Sequence, residues 1–421
     1  MLGKTIAFAA SLGLLVIACA PATSVTDQPI NRWADSTLRI IYTLQDERNV
    51  EALLPYLEHP NDTFRLLATR AFASISDTQA LLPLATRLAD SLVDVRQAAA
   101  FALGQQRHAR GDALLIERYA KERSNRVARV LLEAIGKGPS SAGMTFLCSL
   151  DGEQHPMRLA GQAEGLYWRA VYGTISDSGT ARVLALLQHG VSDEAYPAVT
   201  SYLERTRQVD YAPYREQLLA GWDEVEVQQD PFVAMNLIRA IASIPHPTAE
   251  EVVLEVLQGN RDYRIKINAL RGSPASDTLL DMAIKLTQDT LTNVAVVAAQ
   301  YLTRHAVAAH APVLLATAET VPQWRTRALL LGAAMKHHTD KLLVKQRIIT
   351  LYAASNNPYE KGWLLKALAQ DPRQHLKVNS LMQGAPHMII RTAGLEALMT
   401  IRRHPDYDSL VEDGTIRADV F

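Results

Sequence analysis

The chain has 421 residues, of which 48% are hydrophobic and 21% are charged, so it can bury a large core and is not intrinsically disordered. Aromatic residues make up only 6%, which suits close packing between helices better than the formation of sheets. The 43 basic and 44 acidic residues leave a net charge of -1, so there is no electrostatic reason to expect binding to nucleic acid.

The start of the chain has the pattern of a secretory signal peptide. Lys4 supplies one positive charge, and residues 5–18 are apolar or small and carry no charge. This run is shorter than the about 20 residues that a permanent membrane-spanning helix needs. We therefore assign residues 1–18 to a signal peptide and leave them out of the fold.

The end of this run, Val16 to Cys19, resembles the lipobox of bacterial lipoproteins. The resemblance implies lipidation of Cys19 with palmitate or a similar chain, and a mature protein that reaches the membrane only through this anchor. The alternative is an ordinary secretory signal with Cys19 as an incidental thiol. Ala20 and Pro21 follow the cysteine where an inner-membrane retention signal would have aspartate, so the resemblance favours the outer membrane. Residues 19–32 form the lipidated cysteine and a polar tether.

The rest of the chain, residues 33–421, repeats one pattern. Residues 62–74, 93–105 and 125–137 align at offsets of 31 and 32, and residues 388–399 show the pattern again. The first three copies are each followed by a short break and a second apolar stretch, at residues 78–88, 112–122 and 140–150. Helix, turn and second helix at this period predict a helical solenoid.

Three further features agree with that prediction. Alanine and glycine recur at fixed positions where neighbouring helices can approach closely, and leucine, isoleucine and phenylalanine fill the seam between them. Serine, aspartate and threonine stand before the apolar runs as helix N-caps. No stretch alternates with a period of two, so we expect almost no strand.

The repeated pattern D-x-x-V/F-R-x-x-A-x-x-A-L-G resembles the PBS-lyase type of HEAT repeat. It covers residues 62–88 and 94–122 well, and residues 386–402 again. The resemblance implies an all-α, right-handed α-solenoid, an armadillo-type alpha-alpha superhelix of about eleven or twelve HEAT-like helix pairs. The repeat pattern is weak in the units near residues 192–225 and 290–355.

The mature region also resembles the HEAT-like part of bacterial lipoproteins that carry a cyclophilin-type prolyl isomerase behind it. The fragments that carry this resemblance are residues 38–42, 45–46, 53–57, 161–167 and 179–182. The Phe-His-Arg and Gln-Gly-Gly-Asp elements of a cyclophilin are missing, so the catalytic activity is not implied. The apolar spacing of residues 407–421 leaves two explanations open, a separate C-terminal partner or packing of this tail onto the last pair.

The usual motifs of catalysis and metal binding are absent. The sequence has no Walker loop, no G-x-G-x-x-G, no G-x-S-x-G, no H-E-x-x-H and no C-x-x-C. His305 with His310, and His337 with His338, do not supply the three or four converging ligands of a metal site. We expect no catalytic residue, cofactor or metal, and we predict that Cys148 is a buried, unreactive thiol.

Two groups of residues are candidates for binding a partner. Tyr167, Trp168 and Tyr172 lie in one predicted helix, and aromatic residues of this kind are usually core but become binding hot spots when exposed. Arg126 and Arg129 belong to a mild basic patch in residues 117–137, which we interpret as a solvated face, with contact to an acidic patch of a partner as the alternative. The arginines Arg65, Arg96 and Arg391 recur in the repeat, and Asp62 and Asp94 stand just before the first two. They are either an anion-binding stripe or, as we prefer, members of Asp/Arg pairs that link neighbouring units.

These features predict a lipid-anchored, non-catalytic scaffold of the cell envelope that binds a protein or peptide through the solenoid surface. One alternative is a client-presenting part of an envelope system with a cyclophilin-type prolyl isomerase. A weaker alternative, suggested by the name of the repeat type, is attachment of bilin chromophores to proteins. The secretory signal argues against it, because that chemistry takes place inside the cell.

Overall fold

A computed structural model describes residues 35–187, 193–224 and 229–420. The signal peptide, the tether and Cys19 lie outside the described residues, so those predictions stay predictions. Within the described ranges the chain forms twenty-four α-helices and no strand. The fold is therefore an all-α solenoid, as the repeat pattern predicts, and its helices form twelve pairs.

The first helices of the twelve pairs are mostly the longer ones. They are α1 Ser36–Asp46, α3 Asp62–Ala71, α5 Val93–Gln106, α7 Asn125–Lys137, α9 Pro156–Val171, α11 Tyr196–Arg205, α13 Pro231–Ala242, α15 Tyr263–Gly272, α17 Thr292–His305, α19 Trp324–His337, α21 Pro358–Leu368 and α23 Met388–Arg402.

The second helices alternate with them along the chain. They are α2 Val50–Leu53, α4 Leu81–Arg87, α6 Ala109–Tyr119, α8 Ser141–Cys148, α10 Asp177–Ala185, α12 Arg215–Trp222, α14 Pro247–Gln258, α16 Asp277–Leu286, α18 Ala311–Thr320, α20 Lys341–Ala354, α22 His375–Gln383 and α24 Tyr407–Glu412.

The two rows of helices pack differently. Each first helix contacts the first helix of the next pair over much of its length, whereas second helices meet over fewer residues. In a curved stack the row with the closer spacing lies on the inside, so the first helices line the concave side. Each of them has a neighbour on both sides and its own second helix behind it, and its remaining face is the concave surface.

Small residues make the close spacing of the first helices possible. A Cβ atom on Gly104 of α5 would lie 2.8 Å from the Cβ atom of Ala134 in α7, too close for any residue but glycine. The seam between the helices is filled by fully buried leucines and isoleucines such as Leu103, Leu131 and Ile135. The alanine and glycine positions of the repeat are thus packing positions, as the sequence pattern indicates.

Side-chain caps begin many of the helices. Asn61, Ser140 and Ser276 accept hydrogen bonds from backbone amides of the first turns of α3, α8 and α16. Histidine has the same role at four helices, where the ring of His108, His155, His246 or His387 accepts the amide two residues ahead. The sequence predicts the Ser and Asp caps but not those made by Asn and His, and no described helix has the Thr cap that it also predicts.

The last described residues pack onto the final pairs. Ile416 is buried, and its amide donates to the Leu410 carbonyl at 2.7 Å. The Arg417 amide donates to Nε2 of His375 in α22 at 3.0 Å. Of the two explanations for the apolar spacing of this tail, packing onto the preceding helices is the one observed.

Candidate functional site

The aromatic residues at the end of α9 form a cluster on the concave surface. Tyr172 is 37% exposed, and its ring stacks on Trp168 with centroids 5.8 Å apart. On α5, which is separated from α9 by α7, Phe101 is 38% exposed. Tyr167 does not join them on the surface, because it is partly buried and packs against the hydrophobic core. We call Phe101, Arg107, Lys137, Trp168 and Tyr172 the aromatic cluster.

Two cations hold the rings of the aromatic cluster. Lys137 is only 2% exposed, and its ammonium lies 4.3 Å from the centroid of the Phe101 ring and 4.9 Å from that of Trp168. The guanidinium of Arg107 lies 3.6 Å from the centroid of the Tyr172 ring. Because cations attract the faces of aromatic rings, these contacts order the rings while leaving Tyr172 and Phe101 accessible to a partner.

The backbone at Arg107 explains how this side chain reaches Tyr172. Arg107 follows α5 in the left-handed conformation, with φ at 48°, which ends the helix and turns the side chain toward the next units. Its Nε atom donates to the Lys137 carbonyl at 3.3 Å. Lys137 in turn forms an ion pair with Glu133 at 2.6 Å, one turn earlier on α7. The cluster therefore joins three successive first helices, α5, α7 and α9.

Arg126 and Arg129 lie on α7 but are engaged elsewhere. Arg126, whose side chain is 62% exposed, lies 3.9 Å from Asp94. Arg129 bonds Glu164 at 2.5 Å and reaches Glu194 at 3.4 Å, so it joins α7, α9 and the turn before α11. The hydrogen bond with Glu164 is the main cause of the raised pKa of Arg129. The structure brings Trp168 and Tyr172 together, and it places the two arginines apart from them.

Most charges of the patch in residues 117–137 are paired. Arg118 bonds Glu122, Lys121 bonds Glu117 and Lys137 bonds Glu133, all at 2.6 Å. These three pairs leave Arg123, Arg126 and Arg129 of the patch, and of these Arg126 lies 3.9 Å from Asp94 of α5 while Arg129 bonds Glu164 of α9. Arg129 itself has two glutamates as ion-pair partners, Glu164 and Glu194.

The recurring arginines of the repeat link neighbouring units. Arg65 of α3 bonds Asp90 at 2.9 Å, and Arg96 of α5 bonds Glu122 at 3.1 Å. Arg65, Arg96 and Arg391 each also donate to two backbone carbonyls in the loop before their own helix. The structural interpretation of these arginines is supported, but the acidic partners lie in the next loop rather than at Asp62 and Asp94.

These ion pairs shift the titration of their acids. Burial by itself would raise the pKa of Asp90, but hydrogen bonds from Arg65 and the Leu92 amide outweigh it and the pKa is lowered. Burial would likewise raise the pKa of Glu122. Hydrogen bonds from the Ser124 amide, Arg118 and Arg96 outweigh this effect, so the pKa of Glu122 is also lowered. Both acids are therefore carboxylates in the folded protein at neutral pH.

The histidines and Cys148 serve local structure in the part of the chain described. The ring of His305 packs on Tyr301 with centroids 4.5 Å apart, and burial followed by the charge of Arg304 lowers the pKa of His305. Cys148 is half-buried against the core rather than fully buried, with its Sγ atom 3.9 Å from Met144 Sδ. Among the described residues no three His, Cys, Asp or Glu side chains converge as metal ligands, and no helix is long and apolar enough to cross a bilayer.

A second concave feature was not predicted from the sequence. A groove of about 830 Å³ crosses the first helices from α11 to α19. We call it the arginine groove, because its charged lining residues are Glu204, Arg207, Arg239, Arg264, Arg271 and Arg325. Arg207, Arg239, Arg271 and the nearby Arg304 follow one another at intervals of 32, 32 and 33 residues, so the repeat period, applied to these weakly marked units, could have found them.

The charges of the arginine groove are poorly balanced. Glu204 bonds Arg207 and lies 3.6 Å from Arg239, so one carboxylate serves two guanidinium groups. Arg264 is paired with Asp262 at 3.0 Å. Burial, and then the like charges of Arg207, Arg271 and Arg304, lower the pKa of Arg239 to about 10. Positive charge therefore accumulates in the groove.

The architecture and the concave surface define a class, the all-α solenoids built from paired helices. Residues 50–136 match the family model described as HEAT repeats. The comparison with curated proteins found no match.

Two solved structures have low similarity to the chain. One is an engineered protein from a structural genomics consortium, with 16% identity and a TM-score of 0.42, and the match covers 84% of this chain and 98% of that one. The other is a condensin subcomplex from S. pombe, with 11% identity and a TM-score of 0.34, covering 91% of this chain and 64% of that one. Both TM-scores are below 0.5, so neither likeness supports an argument about function.

Proposed function

We propose that this chain is a non-catalytic scaffold that binds a protein or peptide partner on the concave side of its solenoid. The observation that carries the proposal is the aromatic cluster, in which Lys137 and Arg107 order the rings of the half-buried Trp168 and of Tyr172, while Tyr172 and Phe101 remain exposed to solvent. Aromatic side chains held in this way lose little conformational entropy when a partner binds, which is typical of binding hot spots.

We further propose that the scaffold is anchored to the cell envelope, with the outer membrane as its destination, through a lipid on Cys19. The support is the lipobox-like sequence from Val16 to Cys19 behind an uncharged apolar run. A direct test feeds a palmitate analogue to cells that express the full chain. The wild type should carry the label and sediment with membranes, whereas Cys19→Ser should be unlabelled and remain soluble. A labelled Cys19→Ser protein would contradict the proposal.

The partner-binding proposal is tested by affinity capture from an envelope extract with the full chain as bait. We expect a saturable partner that the double variant Trp168→Ala and Tyr172→Ala retains at least tenfold less well. Leu342→Ala is the control, because Leu342 is 61% exposed on the second helix α20 and should not affect capture. Equal capture by the aromatic variant and the wild type would overturn the assignment of the site.

No specific observation favours the alternative, in which the chain presents clients to a prolyl isomerase. Residues 161–167 carry much of that resemblance, and the structure gives their glycines a packing role. A Cβ atom on Gly161 would lie 2.7 Å from backbone atoms of Arg129, and one on Gly165 would lie 2.6 Å from the Leu132 carbonyl. The pattern is therefore explained by helix spacing, whatever the function. No observation favours attachment of a bilin.

A further inference from the structure

The arginine groove differs from the aromatic cluster in position and in chemistry. It lies farther along the concave side, on α11 to α19, and its charged lining is almost entirely cationic. Arg271 and Arg304 have no ion pair within the described residues, and Arg239 shares the single groove carboxylate, Glu204, with Arg207. Repulsion among these guanidinium groups is a cost that a bound anion would remove.

The side chain of Arg239 is held in place for such an anion. It is 19% exposed, and its Nη1 atom donates to Oδ1 of Asn268 on the next first helix at 3.3 Å. The amide of Asn268 is fixed in turn, because its Nδ2 atom donates to the Arg264 carbonyl at 2.9 Å. An arginine positioned by its neighbours binds a carboxylate with less entropic cost than a mobile surface arginine.

We propose that the arginine groove binds an extended acidic segment of a polypeptide, with a carboxylate at about every third residue. This inference rests on the proposed function, since it names the chemistry of a partner on the same concave surface. Each guanidinium group would bond one carboxylate in the two-pronged geometry that arginine favours.

The period of the arginines sets the period of the ligand. Arg207, Arg239 and Arg271 belong to successive units, and packed helices are about 8–10 Å apart. A polypeptide in the polyproline II conformation rises about 3.1 Å per residue with three residues per turn, so every third side chain faces the same way about 9 Å farther on. One carboxylate per turn of that helix matches one arginine per unit.

A single-stranded nucleic acid fits the groove less well. Proteins that bind such strands stack successive bases on several aromatic side chains along a positively charged channel. Tyr263 is the only aromatic residue among those found to line the arginine groove. The groove therefore has the charge for an anion without the stacking surfaces that bases use.

The test measures binding of a fluorescent peptide, four repeats of Glu-Pro-Pro, to the full chain by anisotropy. We expect saturable binding that weakens with salt and falls about tenfold or more in Arg239→Met and in Arg271→Met. Arg347→Met on the second helix α20 is the matched control and should bind like the wild type. Glu204→Gln should bind more tightly, because it removes the one acid in the groove; a purely structural role for these residues does not predict this gain.

Two further probes decide the nature of the ligand. A peptide of the same composition with its four glutamates adjacent should bind less tightly than the periodic one. An oligothymidine of equal charge should bind more weakly than both. Equal binding of the two peptides, unchanged affinity in Arg271→Met, or preference for the oligonucleotide would each overturn the inference.

Failure of this inference can be told apart from failure of the proposed function. The variant with Trp168→Ala and Tyr172→Ala should bind the acidic peptide like the wild type, because the aromatic cluster lies on other helices. If the chain captures an envelope partner through the aromatic cluster but does not bind the acidic peptide, the proposed function stands and the assignment of the arginine groove is wrong. If it binds neither, both are wrong.

Discussion

Gly136 of α7 and Gly165 of α9 lie so close that a Cβ atom added to Gly136 would overlap the carbonyl oxygen of Gly165. The two first helices therefore touch backbone to backbone. No rotation of a side chain can relieve such an overlap, so the spacing of these concave helices depends on glycine at this position.

We expect Gly136→Ala to lower the free energy of unfolding by about 1–3 kcal/mol, because overpacking forces a backbone shift that outweighs the better helix propensity of alanine. Chemical denaturation of the full chain measures the change. Gly152→Ala is the control, because a Cβ atom there would meet no other atom within 4 Å. If both variants unfold like the wild type, the contact between α7 and α9 is looser than described.

A buried ion pair joins the second helix α6 to the first helix α9. Arg169 and Asp112 are each 2% exposed, their Nη2 and Oδ2 atoms are 3.8 Å apart, and Arg169 also donates to the Ile135 carbonyl at 2.8 Å. Burial lowers the pKa of Arg169, and attraction by Asp112 partly offsets this. We expect Arg169→Met to cost about 3–5 kcal/mol, because it leaves the Asp112 carboxylate buried without its cation.

Thermal or urea unfolding tests this expectation, with Arg126→Met as the matched control because the side chain of Arg126 is 62% exposed. The control should leave stability almost unchanged. Adding Asp112→Asn to Arg169→Met should recover part of the loss, since it removes the unpaired charge. If Arg169→Met were as stable as the control Arg126→Met, the ion pair of Arg169 with Asp112 would contribute nothing to stability.

Acid should destabilise the links between units. The folded protein lowers the pKa of Asp90 below its usual 3.8 and that of Glu122 below its usual 4.5. The two carboxylates therefore contribute fully to the free energy of unfolding above pH 3.8 and 4.5, and this contribution is lost as the pH falls through their lowered pKa values in the folded protein. The variant with Asp90→Asn and Glu122→Gln should be less stable at pH 7 and lose less stability between pH 5 and about 2.

Unfolding curves at several pH values give the comparison, and Asp94→Asn is the control because the Asp94 side chain is 49% exposed. The control should follow the wild type throughout. Parallel pH profiles for the double variant and the wild type would refute the assignment of acid sensitivity to these two carboxylates.

The C-terminal tail should loosen in mild acid. Burial lowers the pKa of His375 below 6.5, so the folded protein favours the neutral ring, whose Nε2 atom accepts the Arg417 amide. The unfolded chain takes up the proton first as the pH falls, and stability is therefore lost below about pH 6.5. Hydrogen exchange at residues 413–420, corrected for intrinsic rates, should be faster at pH 5.5 than at pH 7.5. His375→Gln, which keeps a hydrogen-bond acceptor but does not titrate, should show no such difference.

The sequence alone determined the class of fold and much of the register. The period of about 31 residues predicts helices at residues 62–74, 93–105 and 125–137, and the structure has them at Asp62–Ala71, Val93–Gln106 and Asn125–Lys137. This succeeds because each helix buries a stripe set by its own 3.6-residue period, and its neighbour is always the next unit along the chain. Local pattern and tertiary contact therefore carry the same information.

Only the tertiary structure decided which surface residues meet. Trp168 is ordered by Lys137, 31 positions away, and Arg239 is surrounded by arginines of three other units. These contacts depend on the side chains of adjacent helices facing one concave surface, which a helical period within one segment does not specify. The partners of Arg65 and Arg96 were mistaken for the same reason, because an acid in the next loop is closer in space than one nearby in sequence.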